Sequence, residues 1–287
     1  MAKIIDGRDI ARESNNKVKK EIQALCLGVG RPPKLVSLLV GTSEDAELYV
    51  KMQKRAAEFT GIDFDARYFN KNISEKELIC KIEEMNLDNN ITAIIAQKPL
   101  PKGIDYDKIS SAIIPKKDAE GVHPYNLGSI LRQQADIVPC TAGAVMKILA
   151  VHNVKLYGKE VVIVGHSAIV GKPLSLMMLN ETATTTVCHI ATSEKGALAE
   201  HVKRAEVLVV AVGKAEMIKG EWIKQGAVVI DVGINKMNGK IVGDVKFDEV
   251  CKRASIVSPV PGGVGPVTVS ILMRNVLRAY RNQNVKT

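Results

Sequence analysis

Apolar and polar positions alternate along the chain in two rhythms. Lys34 to Val40 is a short apolar run ending at Gly41, the pattern of a strand buried on both faces of a parallel sheet. Residues 45–59 then read as a helix, 63–69 as a strand, 74–85 as a helix and 91–96 as a strand. A helix carried within 139–154 leads to a second series. Its strands are expected at 160–164, 184–188, 207–212, 228–232 and 256–257, with a helix at 170–179. Two longer helices flank these series. Residues 8–27 place Ile10, Val18, Ile22 and Leu25 at helical spacing, and 266–280 has Pro266 near its first turn. Residues 282–287 read as a loose end. Strand–helix–strand repetition of this kind predicts an α/β protein with parallel sheets covered by helices. Two lobes follow, with ligands expected at the carboxyl edges of the strands, where the lobes face each other.

Composition narrows the partners. Of the 287 residues, 46% are hydrophobic and 25% charged, and no apolar run approaches the roughly 18–20 residues of a membrane span. The first residues carry no apolar stretch with a small-residue cleavage site, so the cytoplasm is the expected address. Net charge is +9, but Lys and Arg are scattered and aromatics are only 4%, which argues against a nucleic-acid surface. The excess charge reads as a solvated surface or as a cleft attracting an anion. Cys26, Cys80, Cys140, Cys188 and Cys251 form no C-x-x-C pair, and the five histidines are dispersed, so reduced thiols and no metal site are expected.

Four stretches carry candidate chemistry. The first is VGHSAIVGKP, from Val164 to Pro173, which leaves a strand and enters a helix. Gly165 suits a tight turn, and the following amides suit a pyrophosphate. It departs from G-x-G-x-x-G, so a packing turn is the competing reading. The second is PVPGGVGPVT, from Pro259 to Thr268, a rigid glycine–proline loop just past a strand end. The third pairs Tyr49, on the helix after the first strand, with Gln97, Lys98 and Pro99 after another. The fourth runs from Lys117 through Asp118, Glu120 and His123 to Asn126. The last two converge on the carboxyl edge of the first sheet, which favours a site over isolated packing residues.

Read together, IDGRDIA, GTSEDAELYV, AQKPLP, KKDAEGVHPYNLG, PCTAG, VGHSAIVGKP, VIDVGIN, VGDV and PVPGGVGPVTV span residues 5–269. In this order they resemble the bifunctional methylenetetrahydrofolate dehydrogenase/methenyltetrahydrofolate cyclohydrolase family. The resemblance implies a folate-binding catalytic domain at 1–139, with the helix 266–287 packing back on it, and a Rossmann-like NAD(P) domain at 140–265. It implies a homodimer acting on tetrahydrofolate one-carbon derivatives. By position, Tyr49 matches the tyrosine stacking on the aminobenzoyl group and Gln97 the glutamine of the pterin pocket. Pro261, Gly262 and Gly263 match the loop bordering folate. Gly165, His166 and Ser167 match the pyrophosphate turn, Ile234 a backbone contact of nicotinamide, and Thr141 a threonine near the cofactor.

The departures cluster. The family lysine four residues after the tyrosine is Gln53 here, which hydrogen-bonds but does not change charge near neutral pH. Lys54 is turned about 100° further around the helix. Ala46 replaces a serine, Lys98 a leucine and Glu120 an aspartate. The expectation is therefore dehydrogenase activity with weakened hydrolysis, unless Lys98, with Glu120 as charge partner, swings into the vacated place. A catalytically quiet folate-binding paralogue and an unrelated two-domain NAD(P) dehydrogenase are the alternatives. For the cofactor, no carboxylate follows the second nucleotide-domain strand until Glu194, which favours NADP over NAD. His166, Ser193 and Lys195 are the candidate phosphate partners.

Overall fold

The computed structural model describes residues 2–41 and 43–284, and the chain divides into two compact units. One unit is formed by residues 12–140 and 269 onward, the other by residues up to 11 and 141–268.

The first of these holds a three-stranded parallel sheet. Lys34–Val40 lies at its centre, between Asp63–Phe69 and Ala93–Ala96. Past Lys34 the central strand is buried throughout because both faces are covered. Val36, Leu38 and Val40 pack with Leu78, Ile82 and Ile109, while Leu39 packs with Ala46 and Val50 on the other face. The helix on that second face, Glu44–Thr60, starts at Ser43, whose hydroxyl accepts the Ala46 amide, and ends at Gly61 in the left-handed conformation with φ 83°. On the first face, Glu75–Leu87 opens on a reciprocal capping box between Ser74 and Glu77.

The other unit is a six-stranded parallel sheet. Its order is Lys3–Ile4, Ile256–Val257, Val228–Asp231, Val207–Val210, Glu160–Val164 and Thr184–Cys188. The order reverses beside Glu160–Val164, which is flanked by the strand that follows it in sequence on one side and by Val207–Val210 on the other. That is the switch point where open α/β sheets bind ligands.

Several boundaries differ from the expectations. Residues 1–139 do not stay together: Lys3–Ile4 is an edge strand of the six-stranded sheet, paired with Ile256–Val257. The C-terminal helix runs Val264–Asn284, so 282–284 are not loose. Asn282 donates to Asp136, and Gln283 to the carbonyls of Thr92 and Lys116. The remainder of that expected loose end, 285–287, lies outside the described residues. The sequence pattern also missed the hairpin Asn235–Met237 with Lys240–Val242 and the short helices Tyr106–Ala112 and Pro124–Leu131. Among the described residues no helix is long and apolar enough to cross a membrane.

Candidate active site

Five of the proposed site residues, Tyr49, Gln53, Gln97, Lys98 and Glu120, belong to the three-stranded unit. Gln97 follows the strand Ala93–Ala96 and is almost fully buried. Its amide nitrogen donates to Ser37 Oγ at 2.9 Å and to Gln53 Oε1 at 3.1 Å. Gln53 itself is 0% exposed, and its own amide nitrogen has no well-formed partner. The group within its reach is the Tyr49 phenol, one helical turn earlier. Burial keeps that phenol protonated far above the ordinary range, reinforced by the nearby Glu120 carboxyl.

The Glu120 carboxyl is pushed up to about 8, first by burial and then by Asp118, with Lys98 pulling the other way. Its backbone is tightly held. The Cys140 amide donates to the Glu120 carbonyl at 3.1 Å, and Ala119 bonds to Ile94 of the sheet. Asn275, on the C-terminal helix, donates to the carbonyls of Ala119 and Val138 at 2.9 and 2.8 Å. Gly121 follows with φ 79°, and a side chain there would strike the Val138 carbonyl. Asp118 shapes the turn from inside. It accepts the amides of Gly121 and His123 and the side chain of Asn126, while burial raises its carboxyl above the usual range.

Lys98 is exposed along most of its length, but its ammonium lies 3.6 Å from the centre of the Tyr106 ring. Partial burial there lowers its pKa, and Glu120 and Asp107 partly offset the shift. The aromatic face gives the cation a definite seat. Lys54 points to solvent and pairs with Glu58 at 3.9 Å. Ala46, in place of a hydroxyl, packs in the apolar layer under Leu39.

The other proposed residues belong to the six-stranded unit. Gly165 ends the strand Glu160–Val164 with φ 124°, and a Cβ there would sit 2.4 Å from the Ala211 carbonyl oxygen. Ser167 Oγ accepts the Val170 amide at 3.2 Å, shaping the entry to the helix Gly171–Asn180. A cavity of about 340 Å³ opens at these strand ends, lined by Gly165, His166, Ser167, His189, Ser193 and Lys214 among others. Lys195, the third phosphate candidate, is not among its lining residues. The rings of His166 and His189 stand 5.3 Å apart. His189 was missed in the sequence, though it directly follows the second strand, where such folds read the adenosine ribose.

Ile234 is 69% exposed, beyond the strand Val228–Asp231. Thr141 lies in the first turn of the helix Cys140–Val151. Pro261, Gly262 and Gly263 are met by the N-terminal segment: the Gly7 amide donates to the Gly262 carbonyl at 3.0 Å, and a Cβ on Gly7 would overlap the Gly263 carbonyl. The IDGRDIA and PVPGGVGP stretches are thus one packed feature.

VIDVGIN and VGDV also form one feature. Asp231 accepts the amides of Gly233, Asp244 and Val245. Asp244 accepts those of Val212, Gly213 and Lys214. Burial pushes the Asp231 carboxyl up to about 6. Among the described residues, no cluster of three or more His, Cys, Asp or Glu side chains is arranged to hold a metal.

A parallel sheet with a glycine turn and a cavity at its switch point, in one chain with a second parallel α/β unit, defines the class: a two-unit dinucleotide-binding protein. Residues 5–120 match the catalytic domain of tetrahydrofolate dehydrogenase/cyclohydrolase, and residues 139–284 match its NAD(P)-binding domain. The chain belongs to that family. It is 43% identical over 276 residues to the bifunctional protein FolD of Methanosarcina barkeri, covering 96% of this chain and 95% of that one. The crystal structure of the bifunctional FolD of Campylobacter jejuni superposes with a TM-score of 0.94 at 38% identity, covering 98% of this chain and 99% of the other. The Trypanosoma brucei FolD, solved with NADP cofactor and inhibitor, gives 0.94 at 37% identity and 99% coverage of each chain.

Proposed function

We propose that this chain oxidises 5,10-methylenetetrahydrofolate to the methenyl level with NADP, and hydrolyses the methenyl product weakly or not at all. The observation that carries the second half is the neutral, fully buried Gln53 four residues after Tyr49. Oxidation breaks one C–H bond of the carbon bridging two folate nitrogens. Hydride leaves with both electrons, and the product is a delocalised cation, so no protein group need exchange a proton. A bound nicotinamide supplies the hydride acceptor. The protein's share is to place the folate and exclude water. Tyr49 offers a ring face and Gln97 an amide edge for that purpose.

Hydrolysis makes a different demand. Water adds to the methenyl carbon and its oxygen gives up both protons: one is released as the cation is discharged, and the other goes to the ring nitrogen as the bond from that carbon to it breaks, leaving a formyl group. An amine poised beside the methenyl carbon to exchange that proton assists such a step. Gln53 does not titrate, Lys54 faces solvent, and the Lys98 ammonium is seated on Tyr106. NADP is supported by the cavity at Gly165. Its lining residues include His166, His189 and Lys214 but no carboxylate, the setting for a 2′-phosphate rather than a free hydroxyl pair. The volume of about 340 Å³ lies within the range of ligand sites. In the test, methylenetetrahydrofolate is offered with NADP and, separately, with NAD while methenyl absorbance is followed. The expected result is accumulation of the methenyl product, faster with NADP. A formyl product appearing at the rate of oxidation contradicts the reading.

Glu120 gives this activity a pH signature. With its carboxyl at about 8, the free enzyme holds it neutral below that pH and anionic above. An anion beside a folate becoming cationic lowers the barrier, so kcat/KM for hydride transfer is expected to rise as pH increases through about 8. The Glu120→Gln variant is expected to lose that limb while keeping the rate seen at pH 6. A limb that survives in Glu120→Gln assigns the titration elsewhere.

A further inference from the structure

Ser37 is the unassigned polar group nearest to this chemistry. It lies in the middle of the central strand Lys34–Val40, fully buried, on a strand whose other residues past Lys34 are all apolar. A hydroxyl there gains nothing from the core, and burying one without a partner is costly. Its partner is Gln97: the amide nitrogen of Gln97 donates to Ser37 Oγ at 2.9 Å and to Gln53 Oε1 at 3.1 Å. An amide nitrogen carries two hydrogens. Both are taken, one by a strand residue and one by a helix residue, so the plane of the Gln97 amide is fixed from two sides. The edge left for a ligand is its carbonyl oxygen, which has no hydrogen-bond partner among the described residues.

We propose that Ser37 is a positioning residue for hydride transfer. With Gln53 it grips one edge of the Gln97 amide and turns the other toward the folate. In this arrangement the amide at position 53 has a task of its own. Its carbonyl supplies the second acceptor, which an ammonium cannot do, because a lysine has three donors and no acceptor. The chain thus combines a serine in its central strand with a glutamine on its helix to hold a third polar side chain without any ionisable group. The proposal rests on the reading of Gln97 as a folate contact.

The test is a double-mutant cycle read in steady-state kinetics of methylenetetrahydrofolate oxidation. Ser37→Ala removes one acceptor and is expected to lower kcat/KM for folate on the order of tenfold, the loss typical of one buried hydrogen bond. KM for NADP should not change. Gln53→Leu, which withdraws the other acceptor, is expected to act in the same direction. In a Gln97→Ala background, Ser37→Ala should then change kcat/KM by less than about twofold, because the residue through which it acts is gone. A merely structural serine would lower both backgrounds alike. Equal losses in both backgrounds, or a wild-type kcat/KM for Ser37→Ala, overturn the proposal. A wild-type kcat/KM in Gln97→Ala itself overturns the folate reading of Gln97 and the proposal with it.

Discussion

Replacing Tyr49 with alanine is expected to lower kcat/KM for methylenetetrahydrofolate oxidation by about a hundredfold or more, while Tyr49→Phe loses no more than about tenfold. The difference follows from what each variant removes. Alanine deletes the whole ring, and with it the flat surface proposed to hold the folate. Because the reaction asks the protein for placement rather than proton transfer, a displacement of about 1 Å is enough for a loss on the order of 10². Phenylalanine keeps the ring and deletes only a hydroxyl. That hydroxyl is uncharged at any assay pH, since burial and the Glu120 carboxyl hold its ionisation far above the ordinary range. What is lost with it is one loosely formed neutral contact to Gln53, worth no more than about 1 kcal/mol. Tyr49 is only partly buried, so neither variant should fail to fold. If Phe proves as damaging as Ala, the hydroxyl and not the ring performs the work, and the account of a placement-only site is wrong.

The second large effect is expected at Gly165. Gly165→Ala puts a Cβ 2.4 Å from the Ala211 carbonyl oxygen at a backbone φ of 124°, which L residues rarely adopt. The backbone strain costs about 1–3 kcal/mol, and prising the two strand ends apart costs about 1–3 kcal/mol more. The displaced turn is the floor of the cofactor cavity, so NADP binding should weaken by about a hundredfold or more, with a lowered melting temperature. Gly158→Ala is the control. Gly158 also has a positive φ, 68°, but open space around it, so only the backbone cost applies and NADP binding should persist. Both are checked by fluorescence titration with NADP and by thermal denaturation. Equal NADP affinity in Gly165→Ala and Gly158→Ala would separate this turn, packed against Ala211, from cofactor binding.

How far the sequence discloses this arrangement depends on the range of the interaction. Strands such as Lys34–Val40 and Glu160–Val164 are legible because burial on both faces leaves an unbroken apolar run. Lys3–Ile4 has no such signal. Two residues become a strand only through pairing with Ile256–Val257, at the other end of the chain. The same limit hid the site's finer parts. Gln53 stands out in the sequence as a departure, but its bond to Gln97 joins a helix to a strand end and has no local trace. Ser37 does leave a local signal: a hydroxyl inside an apolar run asks for a partner. Lys98 shows the opposite case. Its position suggested a cation free to move toward residue 53, whereas the Tyr106 ring that holds it comes from a short helix that the apolar pattern did not reveal. Asp118 and Asp244 were read as parts of motifs, and their work of collecting backbone amides emerges only when the turns are seen.

The most direct measurement is a single-turnover oxidation of methylenetetrahydrofolate with excess wild-type protein and NADP, followed at the methenyl absorbance and then by product analysis. A site that places its substrate but has no titrating amine at residue 53 predicts methenyl formation in stoichiometric yield, then decay far slower than that formation. Decay that instead keeps pace with formation, at a rate set by the protein, would contradict the account.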